Sequence, residues 1–193
     1  MRRPVDLTQL LNLRSDGRPI LQLLGEAGFF WLYMGELDNA RGVFNALARL
    51  APDDPAAEIG LAQVALANDN PQAAEQHAQQ ALLKPLAQRS GSALALVLLA
   101  EAQDRVGRHE SAQRHLRRAI DLDTGGPAAA AARFHLQAAQ SLDLAGEAEK
   151  QWSKRNYLES MRLWENALAA CPDGPIASMI QQRLSATHAQ VET

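Results

Sequence analysis

Helix-breaking residues recur along this 193-residue sequence at a steady interval, and the interval constrains the fold more than any other feature. Gly35, Asp69-Asn70-Pro71, Gly107 and Arg155-Asn156 each interrupt a stretch of helical pattern, and a second such stretch follows each. Pro52, Lys84-Pro85, Gly125-Gly126-Pro127 and Pro172 then end those second stretches. Two helices per unit, at a period in the thirties, predict a solenoid whose units stack on their neighbours. Composition agrees. Ala and Leu, the strongest helix formers, dominate. Threonine occurs only at Thr8, Thr124, Thr187 and Thr193, whereas a sheet would need many β-branched residues. The expected fold class is all-α.

Register sharpens the repeat. Residues 21–54 place Leu24, Ala27-Gly28, Trp31, Ala40, Phe44, Leu47 and Pro52 at the positions of a 34-residue pattern that alternates small and large side chains. Small residues at positions 8 and 20 let two helices cross closely, and large ones at 11 and 24 fill the space beside the crossing. Trp31 is accordingly expected in the core. Residues 55–88 follow with Leu61-Ala62, Ala65, Ala74, Ala78 and Ala81, the large positions having shrunk to alanine. Residues 93–126 offer Leu96, Leu99-Ala100, Ala112, Leu116 and Ala119. The fourth unit, 127–174, has a regular second helix (Tyr157, Ser160, Trp164, Ala167, Pro172) but Glu147-Ala148 in place of Leu-Gly. Its first part, Pro127–Lys154, reads as one long helix or two with a break near Gly146.

These motifs resemble the tetratricopeptide-repeat (TPR) family over roughly residues 21 to 174. The resemblance implies a right-handed superhelical array of about four helix pairs in one domain, 1–193. Residues 175–190, with Ile176, Met179, Ile180 and Leu184 at helical spacing, read as a C-terminal capping helix. Residues 6–13 read as a short N-terminal helix, with Asp6 as N-cap and an apolar face of Leu7, Leu10 and Leu11. That face is either a cap or a homodimer surface.

No catalytic constellation is visible. There is no phosphate-binding glycine loop or dinucleotide fingerprint. His77, His109, His115, His135 and His188 show no metal-ligand spacing and read as solvated. Cys171, the lone cysteine, ends a helix, where the dipole disfavours a thiolate, and reads as structural. The acidic pairs Asp53-Asp54 and Asp121/Asp123 lie at unit boundaries and read as caps of the next helix. The expectation is therefore a non-enzyme without cofactor or metal. A net charge of -3 with no concentrated basic run speaks against nucleic acid. The longest apolar run, Ala93–Ala100, is too short to span a bilayer. Asp6, Thr8, Gln9 and Asn12 break any leader-like apolar core, so a cytoplasmic protein is expected.

In TPR arrays the first helices line a concave groove, and the resemblance assigns that face here to Phe29, Leu32, Tyr33, Ile59, Gln63, Leu66, Val97, Glu101 and Asp104. Phe29 and Tyr33, four residues apart, are expected to share a face. The position that carries Asn in carboxylate-clamping TPR co-chaperones is Phe29 in one unit and Gln63 in the next, so clamp binding is not expected. The passage from Tyr33-Met34-Gly35-Glu36-Leu37 through Ala40, Phe44 and Leu50 to Pro52 is similar to small TPR chaperones of bacterial type III secretion systems. The expected function is a chaperone or adaptor that binds a partner protein or peptide segment. A scaffold subunit of a larger assembly is the alternative.

Overall fold

The computed structural model describes residues 18–85 and 89–191. Helix is the only regular structure among them: α1 (Arg18–Tyr33), α2 (Leu37–Leu50), α3 (Ala56–Ala67), α4 (Pro71–Leu83), α5 (Arg89–Arg105), α6 (His109–Leu122), α7 (Pro127–Ser153), α8 (Tyr157–Ala170) and α9 (Ala177–Val191). The helix expected at 6–13 lies outside the described residues. Contacts group the chain into two compact units, Met1–Ala129 and Ala130–Thr193.

The helices break where the sequence says they should, and for one shared reason. The turn inside each pair needs one residue in the left-handed region, and that residue always falls at repeat position 15. It is Gly35 (φ 77°) and Gly107 (φ 79°), where glycine adopts the conformation without strain, but Asp69 (φ 52°) and Arg155 (φ 63°) in the other two turns. The same backbone bonds close every turn. Gly35 N–H donates to Leu32 O (3.0 Å) and Glu36 N–H to Trp31 O (2.9 Å); in the fourth turn Arg155 donates to Trp152 O (2.9 Å) and Asn156 to Gln151 O (3.0 Å). These bonds satisfy carbonyls that a helix end would otherwise orphan. At the unit boundary after α2, the Asp54 carboxylate accepts from Ala56 N–H (2.8 Å), the capping role expected of it.

In the first unit, α1 with α2, α3 with α4 and α5 with α6 form pairs, and each second helix packs on the next first helix. The positions that bring the helices together are buried throughout: Ala40, Ala74 and Ala112 at position 20, and Phe44, Ala78 and Leu116 at position 24. Where α4 offers only Ala74, Ala78 and Ala81, the gap is filled by Leu66 of α3 and by Leu98 and Leu99 of α5 in one cluster. Around Phe44 the opposite trade holds. A Cβ at Gly28 would stand 2.6 Å from its ring and one at Gly60 would stand 2.2 Å from it. Two glycines on two helices thus make the slot for one phenylalanine.

Trp31 corrects the expectation for position 11. It is 36% exposed and rests edge-on against Phe30 (5.6 Å), while Phe29 lies edge-on against Phe44 (5.0 Å).

In the second unit, α8 packs on α9. Ala145, Ala148, Trp164, Ala167 and Ile180 form its core, with Leu144, Leu163, Ile176 and Leu184 at the margin. The cap expected at 175–190 is α9; Met179, expected on its apolar face, is 42% exposed. α7 is one continuous helix through Gly146. Two serines tie it to α8: Ser141 Oγ donates to Ala167 O (2.8 Å) and Ser160 Oγ to Ala148 O (3.0 Å). A serine at position 20 keeps the crossing close and satisfies its own hydroxyl.

Candidate functional site

The first helices of the first unit lie in a row, α1 on α3 and α3 on α5. The nine residues assigned to this face divide by burial. Ile59 (5%), Leu66 (6%) and Val97 (4%) are core. Phe29, Leu32, Gln63 and Glu101 are half-buried, and Asp104 is exposed. Tyr33 is 89% exposed. Phe29 and Tyr33 therefore do not act together: the first belongs to the Phe44 cluster, and the second, the last residue of α1, stands in solvent. What the row offers a partner is Tyr33 at one end and a polar end on α5.

That polar end is organised by Arg105. Its guanidinium donates to Leu66 O (2.8 Å) and to Glu101 (2.8 Å) and lies 3.6 Å from Asp69. Asp104 pairs with His109. Carboxylates at Asp69, Glu101 and Asp104 outnumber the Arg105 charge, so this end carries a negative field.

The histidines expected to be solvated include two that are half-buried and hydrogen-bonded to distant residues. His77 Nδ1 donates to the buried Glu58 carboxylate (2.8 Å), with Lys84 Nζ 3.8 Å away on the same group. His115 Nδ1 lies 2.9 Å from Gln103 Oε1, Gln103 Nε2 donates to Glu75 (3.1 Å), and Glu75 pairs with Arg108. Gln103 occupies position 11, so a polar chain replaces the aromatic of the pattern. Both partners lie far away in sequence, so spacing alone gave no sign of them.

This chain has a pH signature. The Arg108 guanidinium holds the Glu75 carboxyl below its usual range, and burial, aided by Arg114 and Arg118, holds His115 below the usual histidine range. Both shifts favour the folded state at higher pH. As pH falls, the unfolded chain takes up a proton at His115 first, beginning near 6.5, and at Glu75 only near 4.5 and below. Denaturant midpoints should therefore decline between pH 7.5 and 5.5, and His115→Gln should flatten that part of the curve while leaving the decline below pH 4.5.

No group of His, Cys, Asp and Glu that could hold a metal ion occurs among the described residues. None of the described helices is long and apolar enough to cross a membrane. The second unit has an open depression of about 540 Å³ around the α7–α8 turn, lined by Arg155, Asn156, Tyr157, Leu158, Glu159 and Gln190.

A family model described as a tetratricopeptide repeat matches residues 32–93, which run from the end of α1 to the start of the third repeat. Residues 32–93 are thus tetratricopeptide repeats. The crystal structure of the APC/C hetero-tetramer Cut9-Hcn1 is similar to this chain, with a TM-score of 0.54 at 19% identity over 85% of the chain. This chain spans only 29% of the length of that one, and the likeness is one of fold. The crystal structure of MamA protein aligns with a TM-score of 0.46 at 13% identity, over 89% of this chain and 88% of that one. No curated protein matches the sequence.

Proposed function

We propose that this TPR protein is a chaperone or adaptor that holds a segment of a partner protein along α1, α3 and α5 and performs no chemistry on it. The observation that supports this is Tyr33, an aromatic 89% exposed at the end of a row of packed first helices. Aromatic anchors supply much of the energy at such interfaces. The negative end at Asp69, Glu101 and Asp104 suits a segment with an apolar residue for Tyr33 and a basic residue further along. A type III secretion chaperone acting in the cytoplasm is one protein of this kind.

A scaffold role has its own support. Leu83 on the second helix α4 is 82% exposed and Leu158 on α8 is 72% exposed, and neither belongs to the row. Affinity capture with three baits separates the readings. Wild type and Leu83→Ser should recover one common protein, and Tyr33→Ala/Asp104→Ala should recover at least tenfold less of it, with melting unchanged because both side chains are exposed. Raising salt should weaken the capture, since the charges are on the surface. Recovery lost with Leu83→Ser and kept with Tyr33→Ala/Asp104→Ala would favour the scaffold.

A further inference from the structure

The inner edge of each first helix has a fixed use in this fold. Positions 3 and 10 are Ala57 (1% exposed) and Val64 (2%) in α3, and Ala95 (0%) and Ala102 (1%) in α5. In both cases they join the cluster of the preceding second helix: Ala57 and Val64 with Ala40, Phe44 and Leu47, and Ala95 and Ala102 with Ala74, Ala78 and Ala81. The same positions of α1 are Leu23 and Phe30. They are apolar, 62% and 56% exposed, and no second helix precedes them among the described residues. Met34, one turn beyond Phe30, extends the open stripe at 57%. An apolar edge of this kind calls for a cover.

The sequence holds a segment in phase to supply it. Phe44 and Ala78 are one 34-residue period apart, as are Leu47 and Ala81. One period before Phe44 and Leu47 stand Leu10 and Leu13. Position 24 is buried in every pair (Phe44, Ala78, Leu116, Trp164), and so is position 27 (Leu47, Ala81, Ala119, Ala167). Pro4 falls where second helices begin, one position along from Pro71, which starts α4. The chain ahead of α1 is also long enough: 17 residues precede Arg18, and the second helices run 13 or 14.

We propose that residues 4–13 are a second helix in phase with the repeats, whose Leu10 and Leu13 cover Leu23 and Phe30 of α1. The phase makes a distinction that an apolar stripe alone does not. Leu11 falls at position 25, which is exposed in all four pairs at Asn45, Gln79, Arg117 and Glu165. Leu10 and Leu13 should therefore matter and Leu11 should not.

The test labels the full chain with a maleimide at the thiol of a Phe30→Cys variant; the native Cys171 is buried and stays slow. Labelling should be slow in that variant, at least tenfold faster when Leu10→Asp and Leu13→Asp are added, and unchanged when Leu11→Asp is added instead. Circular dichroism of each variant checks that the remaining helices persist. Fast labelling in every variant would overturn the proposal, because nothing then covers the edge. Equal acceleration by Leu11→Asp would overturn the phase. Protection that disappears on dilution as a dimer dissociates would show a second copy to be the cover and overturn it too.

Discussion

Gly60→Ala is expected to destabilise the first unit by about 3 kcal/mol, the upper part of the range for overpacking. The sign is the informative part. In an ordinary helix interior this change stabilises by roughly 1 kcal/mol or somewhat less. Gly60 is different because the methyl would stand 2.2 Å from the ring of Phe44, which is fully buried and cannot swing aside. Gly28 closes the slot from α1, where a methyl would stand 2.6 Å from the same ring. The ring therefore has no direction in which to retreat. Phe44→Leu alone should cost about 1 kcal/mol through the cavity it leaves. Combined with Gly60→Ala, it should recover more than that, giving a coupling above about 1 kcal/mol in a double-mutant cycle. Urea denaturation of the four proteins measures it. Additive effects would show that the contact does not set the spacing of α1, α2 and α3.

The second large effect belongs to the other unit. Trp164 is fully buried among Ala145, Ala148, Ala167 and Ile180, so Trp164→Ala should cost about 4 kcal/mol. Trp164→Phe should behave quite differently. The Trp164 Nε1–H is buried without a hydrogen-bond partner, a penalty of roughly 1–3 kcal/mol in the native protein. Phenylalanine removes that donor while leaving a smaller void, and the two terms oppose each other. The net change should stay within about 1 kcal/mol of wild type. A loss approaching that of Trp164→Ala would mean that packing around the indole, rather than its unpaired donor, dominates.

The periodic features of this protein were legible because each depends on one residue and its local backbone. Gly35, Asp69, Gly107 and Arg155 announced the turns, and the structure puts a left-handed residue at each. The small residues at position 20 announced the helix crossings. What sequence did not show depends on residues distant along the chain. Trp31 looked like core because the repeat pattern puts an aromatic there, yet it stands 36% exposed against Phe30. His77 looked solvated until Glu58, 19 residues earlier, came into contact with it, and His115 until Gln103 did, 12 residues earlier. The candidate surface was half legible. Repeat positions pointed to the first helices, but Ile59, Leu66 and Val97 are buried between helices, and of the nine residues only Tyr33 and Asp104 stand exposed.

Site-specific photo-crosslinking in the native cells tests the central claim most directly, with a photoreactive residue placed at Tyr33, at Gln63 or at Leu83. The account predicts one shared protein adduct from positions 33 and 63, on the first helices, and none of it from position 83 on α4. An adduct from position 83 with none from 33 or 63 would contradict it, because the partner would then be held by the second helices.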